Sequence, residues 1–271
     1  MSDLSTLFKS VKLPVMSEVA HALIRTLHEE EVSIATVRDL IAKDPTLTAK
    51  VLRAANSAGM GLRREISTLD NAIAMLGLSQ VRTLALMACM NVSFPFAPGL
   101  DRAEFWRNSM ACAGYAQWLT GGLGLGLDVQ RAWLTGMMAR LGELIIGQST
   151  PANMVEIEKQ PHIPGERWKR EQKVLGFTET QVTAELARRW NFPAEIVRGL
   201  DTASAPLEAQ PFCPLGAIVH LAGWLADMPF SEPVIIDALP DDVISMLDLN
   251  RDWMREHIPQ PDSFFDISTL Q

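Results

Sequence analysis

Residues 44–84 read DPTLTAKVLRAANSAGMGLRREISTLDNAIAMLGLSQVRTL. Asp44 followed by Pro45 is a helix start, with Asp as the N-cap and Pro at the first helical position, where its missing N–H costs nothing. Asn56 and Ser57 close that helix, since Asn tolerates the left-handed backbone that helix ends often need. Ser67 or Thr68 opens a second helix that ends at Leu76-Gly77. Ser79 caps a third. Three helices with hard punctuation thus fit into about forty residues.

Outward from this stretch, nearly every periodic segment is helical. Val15 to His28 carries Val15, Val19, Ala22, Leu23 and Leu27 on one stripe. Ser33 opens a helix to Ala42. The helix from Ser79 to Phe94 is apolar almost all round beyond Arg82, as expected of a post buried on most sides. Phe94-Pro-Phe-Ala-Pro-Gly99 is the clearest break and divides an N-terminal lobe, residues 1–100, from a second lobe, residues 101–271. A long helix over Asp101–Thr120 stops at the glycine run 121–126. Asp128 caps a helix to Gly147, and Thr178-x-x-Gln181 is a capping box starting a helix to Trp190. Trp106, Trp133, Trp168 and Trp190 sit in periodic segments as core or lobe-interface residues. Sustained strand-like alternation is absent, so the fold class is all-α.

The chain has 271 residues, 48% of them apolar, and a net charge of −8. That is enough for one large core or two packed lobes. Its pI of about 5.2 speaks against non-specific nucleic-acid binding. Three scattered cysteines, Cys89, Cys112 and Cys213, read as reduced core residues. The longest uncharged stretch, Asn108–Leu127, holds five glycines and several polar residues, so it is not a membrane span. A cytoplasmic protein with no membrane partner is expected.

The order DPxLxxxxLRxANS, then IS, then AIxxLGxxxxRxL resembles the HDOD family. Phe105-Trp-Arg-Asn-Ser109, Gly136 to Leu144, Gly176, Trp190-Asn-Phe-Pro193 and Ile218-Val-His-Leu-Ala222 extend the resemblance over Leu13–Asp227. It implies an all-helical fold related to HD phosphohydrolases, with an N-terminal helical lobe packed on a degenerate HD-like lobe. It also implies a role in bacterial signal transduction without established turnover.

An HD hydrolase needs His and Asp ligands that hold metal, generate hydroxide and stabilise phosphate oxygens. The family pattern GLLHDIGxL falls on Gly136–Leu144, where Ala139 and Arg140 stand in place of His and Asp. A methyl group cannot ligate a metal and a guanidinium repels one. A His pair that often follows the segment matching Trp190–Pro193 is replaced by Leu200 and Asp201. His21, His28, His162, His220 and His257 form no HD, HxxxH or HxH pattern. The sequence therefore points to a protein that is not a metal hydrolase and carries no cofactor.

Four readings of function follow. The first is a non-catalytic regulator that binds a histidine kinase, a response regulator or a cyclic-dinucleotide enzyme. The second is a nucleotide sensor in which Arg140 supplies the positive charge the metal would have carried. An enzyme with an unrelated site is the third, and DNA binding through Ser33–Asn56 the fourth. Between Val37 and Arg64, Arg38, Lys43, Lys50, Arg53, Arg63 and Arg64 outnumber Asp39 and Asp44. That excess reads either as an acid-facing patch or as an ordinary solvated helix face. Helix capping accounts for Asp44, Asn56 and Ser57, and Arg82 suits a buried brace. As motif positions, Asp44, Asn56, Ser57, Arg63, Arg64, Arg82 and Arg140 are the candidate partner- or ligand-binding residues.

Overall fold

A computed structural model describes residues 4–11, 13–29, 31–56, 65–96, 100–122, 124, 126–159, 163–228, 233–260 and 264. Ser57, Arg63 and Arg64 lie outside them. Among the described residues all regular structure is helical, as the sequence predicts. The helices are α1 (Leu4–Ser10), α2 (Glu18–Arg25), α3 (Ile34–Ala42), α4 (Pro45–Ala55), α5 (Leu69–Leu76), α6 (Leu78–Ser93), α7 (Arg102–Gly122) and α8 (Val129–Met138). They continue as α9 (Leu141–Ser149), α10 (Pro151–Glu158), α11 (Arg167–Leu175), α12 (Glu179–Arg189), α13 (Ala194–Thr202), α14 (Pro214–Ala226), α15 (Asp241–Met246) and α16 (Arg251–His257).

The caps follow local chemistry. Asp44 Oδ1 accepts from Thr46 N (2.9 Å) and Leu47 N (3.1 Å) at the start of α4. Thr68 accepts from Asn71 N, and Asp128 from Arg131 N. Thr178 and Gln181 form the full capping box of α12. Two expected boundaries move. The helix expected over Val15–His28 begins only at Glu18, because Ser17 captures Ala20 N, and its last turn tightens to a 3₁₀ turn over Thr26–His28. Helix α6 starts at Leu78 rather than after Ser79. Gly77, at φ +86°, ends α5 and opens α6 within one residue, a backbone that a side chain would disfavour.

Helix α6 is the expected post. Val81, Leu84, Ala85, Leu86, Met87, Ala88 and Met90 are all buried on it, and α2, α3, α4 and α5 pack around it. Further along, α7 packs on α8 and α14, and α12 on α9 and α13. One continuous apolar cluster runs through both groups of helices. Trp190 meets Phe94 edge-to-face at 5.7 Å, and His28 Nε2 lies 2.8 Å from Asn191 O, tying the two groups of helices together. All three cysteines are free. Burial pushes the Cys89 thiol up to about 11 and that of Cys112 to about 12, so both stay protonated.

One expected helix, Asp128–Gly147, is two. It breaks at Ala139–Arg140. The cause lies across the core on α12. There the Thr183 hydroxyl accepts from Gly142 N (2.8 Å) and faces Ala139 O (3.1 Å) and Glu179 O (2.9 Å), taking up backbone groups at the break. Such an approach needs a residue without Cβ at 142, where a Cβ would lie 2.1 Å from Glu179 O. Gly142→Ala must push α9 off α12, and we expect it to cost about 1–3 kcal/mol of stability in urea unfolding at pH 7.

Candidate functional site

The break between α8 and α9 places Arg140 beside the start of α12, at the motif position where the HD pattern carries its Asp. Arg140 donates to Glu143 Oε2 from Nε (3.1 Å) and Nη2 (2.9 Å), and its Nη1 lies 3.8 Å from Asp227. A second guanidinium, Arg167 of α11, sits beside it. Arg167 reaches Glu143 (3.1 Å), Glu171 (3.1 Å), Glu179 (3.1 Å) and Glu158 (2.6 Å). Trp168 Nε1 donates to the other oxygen of Glu179 at 3.2 Å. Glu171 accepts from the backbone N–H of Glu179 at 2.7 Å. Glu143, Glu171 and Glu179 are buried, and so is Arg167.

Three buried carboxylates facing two guanidinia, with Asp227 alongside, leave an excess of negative charge. Burial works against every charge here, so the carboxyls with the weaker pairing take up protons. Burial pushes Glu179 up to about 7 despite Arg167 and Arg140. Glu171 is raised further, by burial and by repulsion from Glu179. Glu143, held between both arginines, overcomes its burial and lies below the usual carboxylate range. Burial opposes the charge on Arg140 and Arg167, but their carboxylates outweigh it, so both guanidinia stay cationic.

These residues do not fit a metal ion. Ala139 offers no donor atom, and both guanidinia occupy the carboxylates around it. No group of three or more His, Cys, Asp or Glu arranged to hold a metal occurs among the described residues. The remaining cavity, lined by Cys112, Ala139, Arg140 and Trp224, measures about 20 Å³. That is room for about one water.

The other candidate residues are dispersed. Asn56 closes α4, but at φ −92° and not in the left-handed region. Its side chain acts instead as a latch: Nδ2 donates to Leu52 O (2.8 Å) and Ile66 O (2.7 Å), and Oδ1 accepts from Ile66 N (2.7 Å). Asp44 caps α4 beside a surface groove. Arg82 donates to Thr26 O at 2.9 Å and faces a separate cavity. Asp44, Asn56 and Arg82 thus do not converge with Arg140. The sequence analysis did not single out Glu143, Arg167, Glu171 or Glu179. The i, i+3 spacing of Arg140 and Glu143 and the i, i+4 spacing of Arg167 and Glu171 are the local signals that point to pairing.

Fold and pocket together define an all-helical, HD-like protein with buried arginine–glutamate pairs at the break between α8 and α9. The profile of the HDOD domain matches residues 13–206, and the chain belongs to the HDOD domain family. A protein of Shewanella amazonensis, provisionally named a phosphohydrolase, superposes with a TM-score of 0.74 at 26% identity, over 93% of this chain and 91% of its own. An HDOD domain protein of unknown function from Geobacter sulfurreducens superposes with a TM-score of 0.67 at 25% identity, over 81% of this chain and 75% of its own. An uncharacterised protein of Treponema pallidum is 21% identical over 204 residues, which are 73% of this chain but only 39% of that protein. No helix among the described residues is long and apolar enough to cross a membrane.

Two outcomes follow from this chemistry. Asn56→Ala orphans buried backbone groups of Ile66 and is expected to cost about 1–3 kcal/mol in chemical denaturation. Glu179 is raised above its usual 4.5, so the stability it contributes is complete below pH 4.5 and is lost as pH rises to about 7. Thermal unfolding between pH 5 and pH 7 should therefore show falling stability. Glu179→Gln, which cannot ionise, should remove one proton's share of that slope, about 1.4 kcal/mol per pH unit.

Proposed function

We propose that this chain is a non-catalytic regulator in a bacterial signalling pathway and works by binding a protein partner. The partner is a histidine kinase, a response regulator or an enzyme of cyclic-dinucleotide metabolism. The observation that supports this reading is the pairing of Arg140 with Glu143 and Asp227 at the motif position of an HD ligand. With Ala139 and a paired Arg140 where the HD ligands would stand, hydrolysis of the HD type has no centre to run on.

The same pairs weigh against the nucleotide-sensing reading. A phosphate would have to displace Glu143 and Asp227 from Arg140 and open a cavity of about 20 Å³. A partner, by contrast, finds apolar surface near the motif segment. Val15 is 80% exposed and Val92 67%. Both flank a groove of about 580 Å³ that Asp44, Leu47 and Lys50 also line. The phosphohydrolase name of the Shewanella protein describes that protein; this chain's Ala139 and Arg140 do not supply the chemistry.

An affinity pull-down from native bacterial lysate, with mass spectrometry of what is retained, tests the reading. Stoichiometric recovery of a kinase, regulator or cyclic-dinucleotide enzyme is expected, and recovery of no protein above background would contradict it. We expect the double charge reversal Arg63→Glu, Arg64→Glu to lower recovery about tenfold, as loss of a charged rim does. Undiminished recovery would remove the Arg63-Arg64 surface from the interface.

A further inference from the structure

A second, larger cavity lies away from the arginine–glutamate pairs, and its chemistry is different. It measures about 380 Å³, within the range of small-molecule sites. One wall comes from the segment after α2 and the start of α6, the other from the start of α8. The cavity thus touches both groups of helices.

Arg82 is its central feature. Among the described residues no carboxylate lies within ion-pair distance of this guanidinium. Its Nη1 donates to Thr26 O, and its Nε is buried with no acceptor. Burial lowers the pKa of Arg82, while Asp128 and Glu29 act on it only at a distance. Gln130 lines the same cavity, and its Oε1 is also buried without a donor. A half-buried cation with no direct counter-ion carries a desolvation cost that an incoming anion would relieve.

The surrounding charges restrict what that anion is. Glu29, Glu31 and Asp128 line the cavity, while its other cation, Arg131, is paired with Glu195. A polyphosphate reaching Arg82 would meet three carboxylates, and a simple amine would meet Arg82. A small molecule carrying one carboxylate and one ammonium satisfies both walls. Half-buried Val32 and Leu78 supply apolar surface beside them. We propose that this cavity binds a zwitterionic amino acid with an apolar side chain, its carboxylate on Arg82 and its ammonium toward Glu29, Glu31 and Asp128. Such a ligand would bridge the two groups of helices and so bias their packing. The site stands independently of the partner-binding reading.

Saturation-transfer NMR of the full chain against pools of the standard L-amino acids tests this, followed by calorimetry of each hit. The expected result is binding of at least one apolar amino acid. Its deaminated acid and its decarboxylated amine should each bind about tenfold more weakly, as the loss of one charge-assisted contact implies. The double variant Glu29→Gln, Glu31→Gln changes only exposed side chains and should weaken the hit similarly. The proposal is overturned if no amino acid gives a signal. It is equally overturned if the acid or amine binds as well as the amino acid, or if the double variant binds unchanged.

Discussion

Three carboxylates buried on two arginines join the ends of α8, α9, α11 and α12. Glu143 from α9, Glu171 from α11 and Glu179 from α12 converge on Arg167, and Arg140 closes the cluster from the break between α8 and α9. Charges buried this deeply are tolerated only when each finds its partners, and removing one partner typically costs about 3–5 kcal/mol. The cluster therefore fixes the positions of four helix ends at once. Gly142 and Thr183 hold α9 and α12 at the distance the cluster requires. A metal centre organises an HD-like lobe by coordinating side chains from several helices; here ion pairs and hydrogen bonds join the same kind of helix ends.

The sequence made legible what is decided within one turn of the chain. Asp44, Thr68, Asp128 and Thr178 are caps whose partners lie two or three residues away, and each caps as read. The buried post α6 was visible in its unbroken apolar composition. The order of motifs disclosed the family. What stayed hidden depends on distant contacts. The break at Ala139 answers to Thr183, 44 residues on. The backbone at Asn56 answers to Ile66, ten residues on, so its side chain latches a loop end where a left-handed cap was expected. Glu143, Arg167 and Glu179 come from three helices, and no spacing rule joins them.

These features give the two halves different roles. The HD-like half keeps the scaffold of a hydrolase fold with charged pairs at its centre. The N-terminal half presents exposed Val15 and Val92 beside the capped start of α4. Between them, and among the described residues, Arg82 lacks the direct carboxylate partner that Arg140 and Arg167 possess. Arginine thus serves at positions 140 and 167 as a paired structural cation and at 82 as one without a described counter-ion. That contrast separates the structural centre from the cavity best placed to receive a ligand.

We propose that Arg140 and Arg167, and not a metal ion, hold together the helix ends at the motif position of the HD ligands. The most direct measurement is a crystal structure of the protein grown with excess manganese, with anomalous data collected at the manganese edge. The account predicts Arg140 on Glu143 and Arg167 between Glu143, Glu171 and Glu179, with no anomalous peak among them. A peak at that position, with either guanidinium swung away and the glutamates turned onto the ion, would contradict it.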